Sequence, residues 1–251
     1  MSLYTTKDNL KYILYKGNYI DDIIIKNGHF EKHIYDIINK YVKSTDVCLD
    51  IGANFGAHAV HMGSKCKKVI CIEPMNIKTR LKQNLELNNI NYEIYDCLLS
   101  DTEKELVNVF RPSLWNNSDD YSSKKEVSRK VETIDLLIKE KIDFIKLDVD
   151  GMESQIIRGM EKTIKKYKPI IVTELCIYYI DDKNKFKKNK NIEFMKKLWI
   201  ETVEIILEKG YRVSYIAYTN EKIINSSDFG NLYEKLRNRG LSSTDVLFIP
   251  Y

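Results

Sequence analysis

The sequence predicts an α/β fold, a mostly parallel sheet covered by helices on both faces, and three observations carry that prediction. Short apolar runs of strand length alternate with segments of helical period. A glycine-containing turn follows the first of the core runs, and the last two runs are close enough in sequence to pair antiparallel. The 251 residues suit one such domain with an extension, read here as an N-terminal hairpin and helix over 1–43 and a core domain over 44–251. With 43% hydrophobic and 30% charged residues, only 10 Gly and 4 Pro, the chain is neither disordered nor collagen-like.

The elements follow in order. KYILY and YIDDIII flank Gly17-Asn18, a pair suited to a tight turn, and predict a hairpin. Phe30, Ile34, Ile37, Ile38 and Tyr41 recur at three- and four-residue spacing and predict one face of a helix. DVCLDI is a strand, followed by a turn and a helix from about Gly56 to Ser64. KVICIE is a second strand, and Ile77, Leu81 and Leu85 mark the next helix. YEIYDCLL, DFIKLDV and PIIVTEL read as further strands, with a helix over roughly 153–166 between the last two. Residues 102–133 hold two extra strands, ELVNVF and RKVETI, around a polar loop with Trp115. Residues 177–191 form a Lys-dense connector. A helix ending at Gly210, a candidate left-handed cap, precedes the strands YRVSYIAY and DVLFIP. Seven main strands result.

Composition narrows the setting. Five cysteines without C-x-x-C spacing argue against a zinc site or a disulfide framework and point to a reducing, cytoplasmic compartment. No run is long and apolar enough for a membrane span, and the start lacks the apolar core of a secretory signal. The net charge of +4 rests on Lys, with Arg supplying only 7 of the 40 bases, which speaks against a nucleic-acid footprint.

The strongest local signal is Asp50-Ile51-Gly52-Ala53-Asn54-Phe55-Gly56 at the end of the first core strand. Gly52 and Gly56 permit a sharp turn, and Asn54 tolerates a left-handed backbone. The following helix is expected to present free N–H groups to a polar or anionic ligand. The spacing is not that of the dinucleotide G-x-G-x-x-G. Asp50 would repel a diphosphate but suits an ammonium, and S-adenosylmethionine carries an ammonium, a sulfonium and no phosphate. Glu73, 21 residues beyond Gly52, ends the second strand where an acid accepts ribose hydroxyls. Asp96, after the third strand, is placed to receive an adenine amino group.

A second constellation is Lys146-Leu147-Asp148-Val149-Asp150-Gly151-Met152-Glu153. Asp150 and Glu153 read as a capping box. Asp148 lies at a carboxyl end of the sheet, where open α/β folds bind ligands, and Glu174 would lie beside it if the two strands are neighbours. The pair can position and deprotonate a hydroxyl. No third metal ligand is evident. His58 and His61 are further candidate bases, Tyr178 and Tyr179 candidate stacking residues, and Lys183, Lys185, Lys187, Lys188 and Lys190 a candidate phosphate attractor.

DIGANFG (50–56), CIEP (71–74), KLDVDGMESQIIRGME (146–161) and KPIIVTEL (168–175) together resemble the FkbM-type S-adenosylmethionine-dependent methyltransferases, in the family's order from about Gly28 to Pro250. The family usually reads Asp-x-Glu-Gly where this chain has Asp148-Val149-Asp150-Gly151. The resemblance implies a Rossmann-like class I methyltransferase fold with an antiparallel last strand, and methyl transfer to a hydroxyl of a sugar, glycan or related small molecule. On that reading Asp50, Gly52, Ala53, Asn54, Phe55, Gly56, Glu73 and Asp96 hold S-adenosylmethionine, while Asp148 and Glu174 act on the acceptor. Three rival readings stand beside it: an RNA 2′-hydroxyl methyltransferase, built on Lys146 and Asp148; a catalytically silent S-adenosylmethionine-binding module; and an NAD dehydrogenase.

Overall fold

The computed structural model describes residues 1–109, 127–149, 151–176, 192–217, 220–223, 231 and 243–251. Two units emerge, one built from residues 1–98 and 104–131, the other from 99–103 and 132–251. Trp115, Asp150, Tyr178, Tyr179 and the lysines of the 183–190 connector lie outside the described residues.

In the first unit, β1 (Ser2–Thr5) pairs antiparallel with β2 (Lys11–Leu14). The expected second arm of a Gly17-Asn18 hairpin is instead a helix, α1 (Tyr19–Asn27). Three consecutive isoleucines favour a strand, but the terminal signals outweigh them. Asp21 and Asp22 fold back onto the N–H groups of Tyr15 (2.8 Å) and Gly17 (3.0 Å), and Gly28 closes the helix at φ 86°. Helix α2 (Lys32–Tyr41) buries Ile34, Ile37 and Ile38, the face its spacing predicts.

Three parallel strands follow: β3 (Val47–Ile51), β4 (Lys68–Ile72) and β5 (Tyr92–Tyr95), paired in that order. Strand β3 is buried at every position, which explains why all its residues but Asp50 are apolar. Helix α3 (Ala59–Gly63) is shorter than expected, and α4 (Lys78–Leu87) buries Leu81 and Leu85. Asn84 of α4 and Asn88, which caps its end, pair with the backbone of β2. Asn88 exchanges two bonds with Lys11 (2.8 and 2.7 Å), and Asn84 accepts the Ile13 N–H at 2.7 Å. Arg80 and Asp21 form an ion pair at 2.7 Å with side chains 2% and 0% exposed. The run expected as one strand over 92–99 breaks into β5 and the two-residue β6 (Leu98–Leu99). Strands β7 (Lys104–Val109) and β8 (Val127–Glu132) pair antiparallel with a bulge.

The second unit begins its chain of elements with α5 (Ile134–Leu137) and β9 (Phe144–Leu147). The helix expected over 153–166 is two, α6 (Glu153–Arg158) and α7 (Glu161–Tyr167). They separate at Gly159, where a Cβ would lie 2.1 Å from the Ser100 carbonyl oxygen, so only glycine fits. Strand β10 (Ile170–Cys176) is parallel to β9. Helix α8 (Ile192–Glu208) buries Trp199, Val203 and Ile206 and ends before Gly210 at φ 79°. Strands β11 (Tyr211–Ala217), β12 (Asn220–Ile223) and β13 (Ser243–Pro250) complete the set in the order β9-β10-β13-β11-β12. The last strand, β13, runs antiparallel to both β10 and β11. Apart from the small β7/β8 pair and the short β12, the sheet strands of the two units are the mixed, mostly parallel α/β set expected. No helix among the described residues is long and apolar enough to cross a membrane.

The Arg80–Asp21 pair yields a stability prediction. Asp21→Ala leaves a buried guanidinium without its carboxylate and should cost about 3–5 kcal/mol. Urea unfolding measures this directly, and a loss under about 1 kcal/mol would show that the pair is dispensable.

Candidate functional site

The turn after β3 has left-handed backbone at Gly52 (φ 81°), Asn54 (φ 53°) and Gly56 (φ 92°). Five successive N–H groups are satisfied inside the protein. Those of Gly52 and Ala53 donate to the Ile72 carbonyl (3.0 and 3.2 Å), and that of Asn54 to Glu73 Oε2 (2.9 Å). Phe55 donates to Asn54 Oδ1 (2.8 Å) and Gly56 to the Ala53 carbonyl (2.9 Å). The turn itself therefore offers a diphosphate no row of donors.

Carboxylates flank the loop instead. Asp50 is 1% exposed and sits opposite Cys71 in the β3/β4 register. Burial pushes the Cys71 thiol well up, and the Asp50 charge adds to this. Glu73 is 2% exposed and is anchored through both oxygens, by the Asn54 N–H and by the Met75 N–H at 2.8 Å. Those two bonds fix the orientation of the Glu73 carboxylate. Acceptors at a turn with satisfied donors match an ammonium and a diol, which is the chemistry of S-adenosylmethionine rather than of a nucleoside diphosphate.

Asp96 follows β5 and is held in ion pairs by Lys78 and Arg129. Arg129 also donates to the Pro74 carbonyl at 2.8 Å. Sequence reasoning missed Arg129, because its partners Pro74 and Asp96 lie more than thirty residues away in the chain. The two candidate histidines, His58 and His61, both face the N-terminal segment. His58 Nε2 lies 2.9 Å from Glu31 Oε2, and the His61 ring stacks on Tyr35 at 3.4 Å between centroids. Burial, with Lys65 and His58 adding to it, pushes the His61 imidazole down to about 3. Both histidines brace the N-terminal segment.

In the second unit, β9 and β10 are parallel neighbours whose last paired residues are Leu147 and Thr173. Asp148 and Glu174 are the next residue of each strand. Lys146, 5% exposed, donates to Asp148 Oδ2 at 2.9 Å. Glu174 is also the cross-strand partner of Asp245 on β13. Sequence reasoning missed Asp245. Its signal is the reversal of the last strand, which brings the beginning of β13 to the carboxyl ends of its neighbours. No group of three or more His, Cys, Asp or Glu side chains is arranged to hold a metal ion among the described residues. Glu153 stands at the first helical position of α6, not the third as a capping box requires, and accepts the N–H groups of Gly151 (3.1 Å) and Val149 (3.3 Å).

Comparison with known proteins adds the following. The family model for the methyltransferase FkbM domain matches residues 50–240. A methyltransferase FkbM from Methylobacillus flagellatus KT is 14% identical with a TM-score of 0.49; the match covers 85% of this chain and 50% of that one, so this chain spans half of its length. A Streptococcus mutans protein assigned as a methyltransferase, in complex with SAH, is 11% identical with a TM-score of 0.51, covering 88% of this chain and 97% of that one. An rRNA methylase from Streptococcus thermophilus is 12% identical with a TM-score of 0.51, covering 88% and 96%. At these identities the likeness shows the fold alone. No curated protein matches the sequence.

Glu153 supplies a pH prediction. Burial lifts its carboxyl from 4.5 to about 7, against the pull of the Gly151 and Val149 N–H groups. The folded state then binds the proton more tightly than the unfolded state, so stability should fall as pH rises from about 4.5 to 7 and level off above. Glu153→Gln should flatten that slope in unfolding curves taken from about pH 4 to 8. An unchanged slope would assign the titration to another group.

Proposed function

The chain belongs to the FkbM methyltransferase family, and from that membership we propose that it methylates a hydroxyl oxygen of a sugar, glycan or related small molecule. As a member of the family it uses S-adenosylmethionine as methyl donor. The observation that carries the cofactor assignment is the donor-satisfied turn flanked by Asp50 and Glu73. When bound, S-adenosylmethionine supplies an electrophilic methyl group on a sulfonium sulfur.

The chain's own residues do the rest. Gly52, Ala53, Asn54, Phe55 and Gly56 form the floor of the cofactor site, Asp50 faces its amino-acid end, and Glu73 accepts its ribose hydroxyls. Asp96 receives the adenine amino group, which on this reading shares the carboxylate with Lys78 and Arg129. Asp148 accepts the proton of the acceptor hydroxyl, with Lys146 fixing its orientation through their 2.9 Å ion pair. Glu174 holds the acceptor by hydrogen bonds. Protein catalysis here is mostly alignment of the attacking oxygen and removal of its proton.

The choice of a small hydroxyl acceptor over RNA is supported by charge. Asp148, Glu174 and Asp245 occupy adjacent positions of three neighbouring strands, with Lys146 as the buried base among them. A phosphate backbone is repelled by such a row, whereas sugar hydroxyls are good donors to it. Turnover assays on a panel of saccharides, run beside RNA binding at varied salt, test the choice. Methylation of a saccharide without RNA affinity supports it. Steeply salt-dependent RNA binding would replace it with the RNA reading.

Two substitutions separate cofactor from acceptor chemistry. Gly52→Val forces a β-branched residue into left-handed backbone and should weaken S-adenosylhomocysteine binding about 10²-fold in calorimetry. Retained affinity would refute the loop assignment. Asp148→Asn should leave that affinity within about twofold and lower turnover by about 10²-fold or more. Near-normal turnover would move the proton transfer to another group.

A further inference from the structure

The first unit shows an unusual use of a side-chain amide. Asn84 on α4 is fully buried, accepts the Ile13 N–H at 2.7 Å and donates to the Phe55 carbonyl at 2.8 Å. Its orientation follows from its partners, because a backbone N–H can only donate and a carbonyl can only accept. One amide thus links β2 of the N-terminal segment to the middle of the glycine turn. We propose that Asn84 is a positioning residue for the cofactor loop, coupling the seating of the N-terminal segment to cofactor affinity through the Phe55 carbonyl. The proposal rests on the assignment of that loop to the cofactor.

Phe55 is the residue through which such coupling acts. It lies between left-handed Asn54 and Gly56, so its placement sets the direction of the turn on both sides. Its ring is fully buried beneath the Arg80 guanidinium, 3.8 Å from the ring centre, and Arg80 in turn pairs with Asp21 of α1. One turn before Asn84 on the same helix, Leu81 Cδ1 would lie 2.9 Å from a Cβ on Gly56, so the turn rests directly on α4. Glu31, itself at φ 43°, adds a third tie through His58. Residues 55–58 are gripped by β2, α1 and the start of α2. Without Asn84, the half-buried Ile13 N–H and the buried Phe55 carbonyl lose their partner. Strand β2 retains β1 and Asn88, whereas the Phe55 carbonyl loses the side-chain donor that Asn84 supplied.

Calorimetry of the full-length chain with S-adenosylhomocysteine tests the coupling, with Asn88→Ala as control. Asn88 grips Lys11 on the same strand but makes no bond to the loop. Asn84→Ala should weaken binding about tenfold, and Asn88→Ala less than about twofold, at temperatures well below both melting points. Wild-type affinity in Asn84→Ala, or equal weakening in both variants, would overturn the proposal by reducing Asn84 to a structural residue. Hydrogen exchange on the wild type needs no variant: by reciprocity S-adenosylhomocysteine should slow exchange of the Ile13 amide, and indifference of that amide would equally overturn it. If Gly52→Val weakens binding as expected while Asn84→Ala keeps wild-type affinity, this proposal alone fails. If Gly52→Val also leaves binding intact, the cofactor assignment itself fails.

Discussion

Five consecutive peptide N–H groups, from Gly52 to Gly56, are satisfied by protein acceptors, and this constraint governs the chemistry of the first unit. A turn after a buried parallel strand ordinarily points such donors at a ligand anion. Here the left-handed positions at Gly52, Asn54 and Gly56 fold the donors back onto Ile72, Glu73, Asn54 and Ala53. What remains beside the turn is acceptor chemistry from Asp50 and Glu73. A cofactor with an ammonium and a diol suits those acceptors, and a diphosphate does not.

That turn does not hold itself. Left-handed residues lack repeating hydrogen bonds, so packing must define their position. Helix α4 provides it, with Leu81 against Gly56, Arg80 over Phe55 and Asn84 on the Phe55 carbonyl. The N-terminal segment ties into this arrangement through Ile13 on Asn84, Asp21 on Arg80 and Glu31 on His58. Residues that read in isolation as an appended hairpin and helix are thereby part of the same packed unit as the glycine turn.

Legibility in the sequence followed locality. Strands β3, β4, β9 and β10 were readable because burial makes most of their residues apolar, with only isolated polar positions such as Asp50 and Lys146. The turn was readable because Gly52, Asn54 and Gly56 each need a conformation few other residues adopt. Helix α1 was misread because Ile23, Ile24 and Ile25 signal a strand locally, while Asp21 is decided by Arg80 on another helix. The break between α6 and α7 depends on the Ser100 carbonyl, which no local pattern around Gly159 reveals. His58, His61, Arg129 and Asp245 all take their surroundings from segments distant in the chain. Their residue types were visible, and their partners were not.

On the proposed reading Glu73, oriented by the N–H groups of Asn54 in the turn and of Met75, takes the ribose hydroxyls. A crystal structure of the full-length chain with S-adenosylhomocysteine tests it most directly. The account predicts both ribose hydroxyls on the Glu73 carboxylate, with the Asn54 and Met75 N–H bonds still in place. A ligand whose ribose lies away from Glu73, or a turn reopened to aim its N–H groups at the ligand, would contradict it.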